Sequence, residues 1–262
     1  LFKDAERDLL VTLPQPSEKN LPEYYQSEDY ISHTDSKRNL LEIAYQLVKQ
    51  LSLKRKVKLV TRVNQGQGRI LDVGCGTGDF LQACEQKGWS IAGIEPNEKA
   101  RQLASTKTNF KDYQRTVEDL IESNPESFDV ITLWHVLEHV PNLADFIHKI
   151  KSLLKPNGVL VVAVPNFKSW DAKHYNSFWA AYDVPRHLWH FSRKSMERIF
   201  SEFDMKILEE LPMKFDSYYV SLLSEKYKKG KQNFFSAFYQ GLRSNQKAGQ
   251  SGEYSSLIYL IK

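Results

Sequence analysis

Three residues in the stretch LWHVLEHVPN (133–142) have the side chains to hold a metal: His135, Glu138 and His139. Histidines four apart share one face of a helix. Two imidazoles and a glutamate that activates water form a set that zinc uses for hydrolysis. The flanking sequence argues against that chemistry. Pro141 lies two residues past His139 and disfavours a helical Val140, so the segment is at most a short helical turn, followed by a new helix from about Asn142. A zinc site needs its pair on a sustained helix and a third protein ligand. Zinc hydrolysis through His135, Glu138 and His139 is therefore kept only as an alternative, and no metal is expected.

A second group of residues describes a ligand more fully. ILDVGCGTGDF (70–80) places Gly74, Gly76 and Gly78 where an apolar run gives way to a helical pattern. Without β-carbons the backbone turns sharply there, and a ligand can lie against its N–H groups. A dinucleotide loop needs G-x-G-x-x-G, but Asp79 stands at the sixth position and the third glycine comes one residue early. Asp72, just before the loop, would oppose a pyrophosphate and suit a cation. Glu95, seventeen residues after Gly78, closes the next apolar run, and a carboxylate there can accept both hydroxyls of a ribose. A ribose, a positive or zwitterionic part and no pyrophosphate describe S-adenosylmethionine.

The elements that must position these residues alternate regularly. RILDVG (69–74), SIAGIE (90–95), FDVITLW (128–134) and GVLVVAVP (158–165) read as buried strands, with NFKDYQR (109–115) as a short additional one. GDFLQACEQKG, NEKARQLAST and NLADFIHKIKSLLK read as helices between them, and 39–58 as a helix before them. Such alternation implies right-handed crossovers and a mainly parallel sheet. SRKSMERIF then reads as a helix, DMKILEEL as a strand, 216–247 as helical and YSSLIYLIK as a last strand. The expected division is an N-terminal extension and helical lid over 1–62, then a domain over 63–262 with cap insertions at 166–191 and 216–247.

ILDVGCGTGDF, IAGIEPN, FDVITLWHVLEHV and LKPNGVLVVAVPN, in this order, resemble the successive motifs of class I S-adenosylmethionine-dependent methyltransferases. The likeness runs from about Arg69 to Val164, and more weakly through DVPRHLWHFS (183–192). The subgroup it resembles is the broad one that contains the ubiquinone-biosynthesis O-methyltransferases and many bacterial enzymes. The resemblance implies an α/β, doubly wound, Rossmann-like sheet of seven strands, six parallel and the last antiparallel, with helices on both faces. It implies that Gly74, Gly76 and Gly78 line the methionine and ribose with Asp72 nearby, and that Glu95 binds the ribose. Cys75 lies in the same loop, as a cofactor neighbour or as a filler. Pro96 or Asn97 would lie near the adenine. Relatives often place an acid after the third strand; here Thr116 stands in that place, leaving the adenine contact among Thr116, Val117 and Glu118.

In a doubly wound sheet ligands sit outside the carboxyl ends of the strands. Leu133 and Trp134 are thus expected to meet the methionine portion, with His135 facing the transferring methyl. For a hydroxyl acceptor, His135 and His187 are the candidate bases. His139 is expected to be either structural, buried under the sheet edge, or catalytic, and Glu138 to anchor the turn or the neighbouring loop. Arg186 is read as bracing its loop or binding an acidic group of the acceptor. The insertion 166–191 carries many aromatics, which either wall an apolar or aromatic small-molecule acceptor, O- or N-nucleophilic, or form the core of a cap. Tyr25, Tyr30 and His33 are candidate contacts to the cofactor or acceptor, from a lid that closes over the cofactor. The rival function is a catalytically silent relative that binds the cofactor or a partner.

Composition fits these readings. The chain of 262 residues is 41% hydrophobic and 12% aromatic, enough for a packed core. A net charge of +4, with basic runs only at 54–58 and 226–231, gives no reason to expect nucleic acid. Two cysteines cannot build a disulfide framework. No apolar run reaches the roughly 20 residues of a membrane span, and no signal-peptide pattern opens the chain. A cytoplasmic protein of unread oligomeric state is the resulting expectation.

Overall fold

A computed structural model describes residues 1–17, 20, 24, 40–121, 126–231 and 233–262. In chain order the elements are β1 (Phe2–Asp4), β2 (Leu9–Val11), α1 (Leu40–Val63), β3 (Arg69–Val73), α2 (Asp79–Glu85), β4 (Ser90–Ile94), α3 (Glu98–Lys107), the single turn α4 (Glu118–Ile121) and β5 (Phe128–Trp134). A 3-10 turn (Leu137–His139) precedes α5 (Leu143–Leu153) and β6 (Leu154–Pro165). Then come α6 (Trp170–Tyr175), β7 (Trp189–His190), α7 (Arg193–Ser201), β8 (Ile207–Pro212), α8 (Asp216–Lys229), α9 (Phe234–Ser251) and β9 (Ser256–Ile261).

Among the described residues the main sheet has six strands in the order β4-β3-β5-β6-β9-β8. β3 pairs in parallel with both β4 and β5, while β9 runs antiparallel to β8. The α/β doubly wound class is therefore as expected, and six of the seven expected strands lie in the sheet among the described residues. The additional strand expected over 109–115 is reduced to one parallel bridge, Ile94 to Gln114. Asn109, Lys111, Asp112, Gln114 and Arg115 leave that segment little apolar surface to bury, and tertiary burial is what extends a strand.

The chain divides into two compact units that do not follow chain order: 25–134 with 142–161, and 1–24 with 135–141 and 162–261. In the first, β3 and β5 are almost wholly buried, as strands covered on both faces must be. Asn97 caps α3 by accepting from the Ala100 amide, and Asn142 caps α5 by accepting from that of Asp145.

In the second unit β1, β2 and β7 form a small antiparallel sheet, with Leu10 opposite His190. The region 166–191 folds as short helical turns around Tyr175 and Trp179, both at most 2% exposed, which pack with Ala172, Ala181 and Val220. Buried Asp171 accepts from the Trp179 indole N–H (2.8 Å) and the hydroxyls of Ser244 and Ser255 (both 2.7 Å). Tyr175 and Trp179 are thus core. Among the described residues no helix is long and apolar enough to cross a membrane.

Candidate functional site

In the first unit the loop between β3 and α2 is held by its own amides. The N–H groups of Gly74 and Cys75 both donate to Ile94 O, at 2.7 and 3.0 Å, and that of Gly78 to Cys75 O at 3.0 Å. The Gly76 N–H donates to Glu95 Oε2 at 2.9 Å. The Gly74, Cys75 and Gly76 donors tie the loop to the end of β4, the Gly78 donor closes the loop on itself, and none of the four is turned toward a ligand. A phosphate cradle needs them, so the arrangement argues against a pyrophosphate.

The three glycines have φ of +71°, +54° and +78°, the left-handed region that favours glycine. A β-carbon at Gly78 would lie 2.9 Å from Ala104 Cα, so this glycine lets α3 pack closely. A β-carbon at Gly76 would meet nothing within 4 Å among the described residues: this side of the loop is open. Cys75 and Cys84 are free and buried, and burial raises both thiols well above their ordinary range.

Two buried carboxylates border the loop. Glu95 accepts from Gly76 and, through Oε1, from the Asn97 N–H at 2.9 Å, which leaves lone pairs on each oxygen. Burial raises its carboxyl, against those two bonds and the nearby Arg101. Arg101 donates to the carbonyls of Glu95 (2.6 Å) and Pro96 (2.7 Å), bracing the turn. Asp72 is 3% exposed and accepts from Thr132 Oγ1 at 2.6 Å. Burial drives its carboxyl up to about 7, with Thr132 and Lys56 opposing and Glu95 reinforcing. A carboxylate so placed gains from an added cation.

At the end of β5 Leu133 is buried, while Trp134 stacks edge-on to Phe80 (5.6 Å between ring centroids) beneath Lys56 Nζ (4.2 Å). The indole N–H of Trp134 is buried and has no acceptor among the described residues. The third-strand set is less convergent. Thr116 donates its N–H to Asp119 (2.9 Å), Val117 is buried, and exposed Glu118 pairs with Lys149. Tyr25, Tyr30 and His33 lie outside the described residues.

In the second unit the HVLEH string divides. His135 adopts φ +59° and stands before the 3-10 turn, so it does not form a helical pair with His139. Its ring meets Glu138 Oε1 (3.2 Å) and Asp216 Oδ2 (2.9 Å). Burial opposes charging this ring, but the bonds to Asp216 and Glu138 prevail and raise it to about 10. A protonated imidazole engaged at both nitrogens cannot accept a proton, so the structure does not present His135 as the base expected. Asp216, 81 residues away, carries no sequence signal for this role.

His187 differs: its ring is neutral, and its low affinity for a proton makes it a weak base. It is buried, engages Ala181 O through Nδ1 (2.8 Å), and burial with neighbouring His139 lowers it to about 4. His139 engages Arg186 O through Nδ1 (3.1 Å) and lies edge-on to His187 at 4.5 Å. The Glu138 carbonyl accepts the Leu188 N–H at 2.8 Å, which ties the 3-10 turn to the neighbouring loop. Arg186 braces its loop through Asp183 (2.6 Å).

A model of the family described as "Methyltransferase domain" matches residues 29–210. Among curated proteins, the ubiquinone biosynthesis O-methyltransferase of Histophilus somni is 41% identical over 113 residues, 39% of this chain and 48% of the relative. The chain thus matches about half the length of that relative. Among solved structures, a SAM-dependent methyltransferase from Archaeoglobus fulgidus aligns with a TM-score of 0.54 at 20% identity, over 81% of this chain and 93% of that one. The mycolic acid cyclopropane synthase CmaA1, solved with SAH and CTAB, aligns with a TM-score of 0.59 at 15% identity, over 94% of this chain and 98% of that one. At these identities the two structures speak to the fold.

Proposed function

The chain belongs to the methyltransferase-domain family, and on that premise we propose that it transfers a methyl group from S-adenosylmethionine to an oxygen of a small-molecule acceptor. The observation that carries this reading is the pairing of two buried carboxylates, Asp72 and Glu95, across a glycine loop where a β-carbon at Gly76 would meet nothing within 4 Å among the described residues. Asp72 would hold the cationic part of the cofactor and Glu95 the ribose hydroxyls, with the Trp134 indole N–H a further donor. When bound, the cofactor supplies an electrophilic methyl on a sulfonium, whose departing thioether is neutral. The protein's task is then to hold a nucleophile in line and exclude water. Oxygen as the acceptor atom rests on the name of the curated relative.

The acceptor is not read from the aromatics of 166–191, because Tyr175 and Trp179 are spent on packing. A cytoplasmic setting is part of the proposal and is supported by two unpaired cysteines. A silent binding protein is the second reading, favoured by the engagement of His135 at both nitrogens. Incubation with S-adenosylmethionine and a panel of hydroxylated metabolites separates them. Acceptor-dependent release of S-adenosylhomocysteine supports transfer; cofactor binding with no product across the panel supports the silent reading.

A further inference from the structure

The side chains of Glu138, His139 and His187 converge in the second unit, with one ligand-capable atom from each within 4.8 Å of the others. The set differs from the one the HVLEH string offers, since His187 replaces His135. Both histidines direct Nδ1 at a backbone carbonyl, His139 at Arg186 O (3.1 Å) and His187 at Ala181 O (2.8 Å). A neutral imidazole donating from Nδ1 carries its lone pair on Nε2, the tautomer that a metal takes. Glu138 is 1% exposed; its Oε1 serves His135, while Oε2 is buried with no hydrogen-bond partner among the described residues.

A buried carboxylate oxygen left unpartnered costs free energy that a cation would recover. A second carboxylate, Asp183 Oδ2, stands 3.7 Å from His187 Nε2 and adds to the negative field. We propose that Glu138, His139 and His187 bind one divalent transition-metal ion, with zinc the preferred species. Two imidazoles and one carboxylate suit zinc over magnesium or calcium, which take oxygen ligands. Three protein ligands also leave a coordination position open. This site is independent of the methyl-transfer reading.

Cobalt titration of untagged protein, stripped with EDTA and dialysed, tests the proposal. One cobalt ion per chain should bind with visible absorption bands, and zinc should displace it. Glu138→Gln and His187→Gln should each weaken binding at least tenfold, whereas His148→Gln, exposed on α5, should not. Folded wild-type protein that takes up no stoichiometric cobalt overturns the proposal, whether or not the variants fold. So does equal affinity in all three variants. Calorimetry with S-adenosylmethionine on the same stripped protein keeps a failure here distinct from a failure of the cofactor site.

Discussion

Glu95 Oε2 accepts the Gly76 amide at 2.9 Å, so the acid that ends the second strand of the alternation also fixes the glycine loop. Its other oxygen accepts the Asn97 amide, leaving one carboxylate to set two turns and still hold spare lone pairs. Glu95→Gln keeps the size but turns one acceptor into a donor. The variant should lose about 1–3 kcal/mol of stability, since a buried amide loses its partner. Chemical denaturation of the two proteins without cofactor measures this, and equal stabilities would show that the loop is held elsewhere.

Asp72 makes cofactor binding depend on pH. Its carboxyl, raised to about 7 chiefly by burial, is largely protonated at pH 6 and largely ionised at pH 8. A cation prefers the ionised form, so affinity for S-adenosylmethionine should rise between these values. In Asp72→Asn that rise should disappear, while any titration of the cofactor itself is common to both proteins. Calorimetry at both pH values checks the difference between them.

The same shift has a stability consequence of opposite sense. An acid that ionises near 4 when unfolded and near 7 when folded binds more protons in the native state between those values. Native stability therefore falls as pH rises through that window and levels off above it. Asp72→Asn removes this loss and keeps an acceptor for Thr132. The variant's melting temperature should exceed that of the wild type at pH 8 and approach it at pH 4, without cofactor. A constant gap across pH would place the shift elsewhere.

Gly76 and Gly78 separate binding from folding. Alanine at either meets a left-handed backbone, at about 1 kcal/mol or more. At Gly78 the new β-carbon also presses on the Ala104 backbone, so Gly78→Ala should lose a further 1–3 kcal/mol or so as α3 shifts. At Gly76 it meets nothing within 4 Å among the described residues, so Gly76→Ala should fold and bind the cofactor less tightly. Melting curves and calorimetry on both variants distinguish the two roles.

Asp171 should prove indispensable to the second unit. It is fully buried and accepts three donors, one from Trp179 and one each from Ser244 and Ser255. Asp171→Ala orphans all three and should destabilise by about 3–5 kcal/mol. Urea denaturation measures it, and a loss below about 1 kcal/mol would mean that water replaces the carboxylate.

The sheet was legible because β3, β4 and β5 are short apolar runs broken by helical spacing, and burial enforces such patterns. Asp72, Glu95 and the glycines were legible because their positions relative to strand ends carry the chemistry. What failed to show was set by long-range contact. β6 begins at Leu154, four residues before Gly158, where the apolar run placed its start. β2 pairs with β7 from the far side of the chain. Asp216 reaches His135, and His187 reaches Glu138 and His139, by folding alone. A string can propose HVLEH as a unit; only the fold divides it.

Calorimetric titration with S-adenosylmethionine of the wild type, Asp72→Ala and Glu95→Ala tests the central claim most directly. Saturable binding by the wild type, weakened at least tenfold in each variant, about 1.4 kcal/mol, is the predicted result. Unchanged affinity in both variants, or tighter binding of NAD than of S-adenosylmethionine by the wild type, would contradict it.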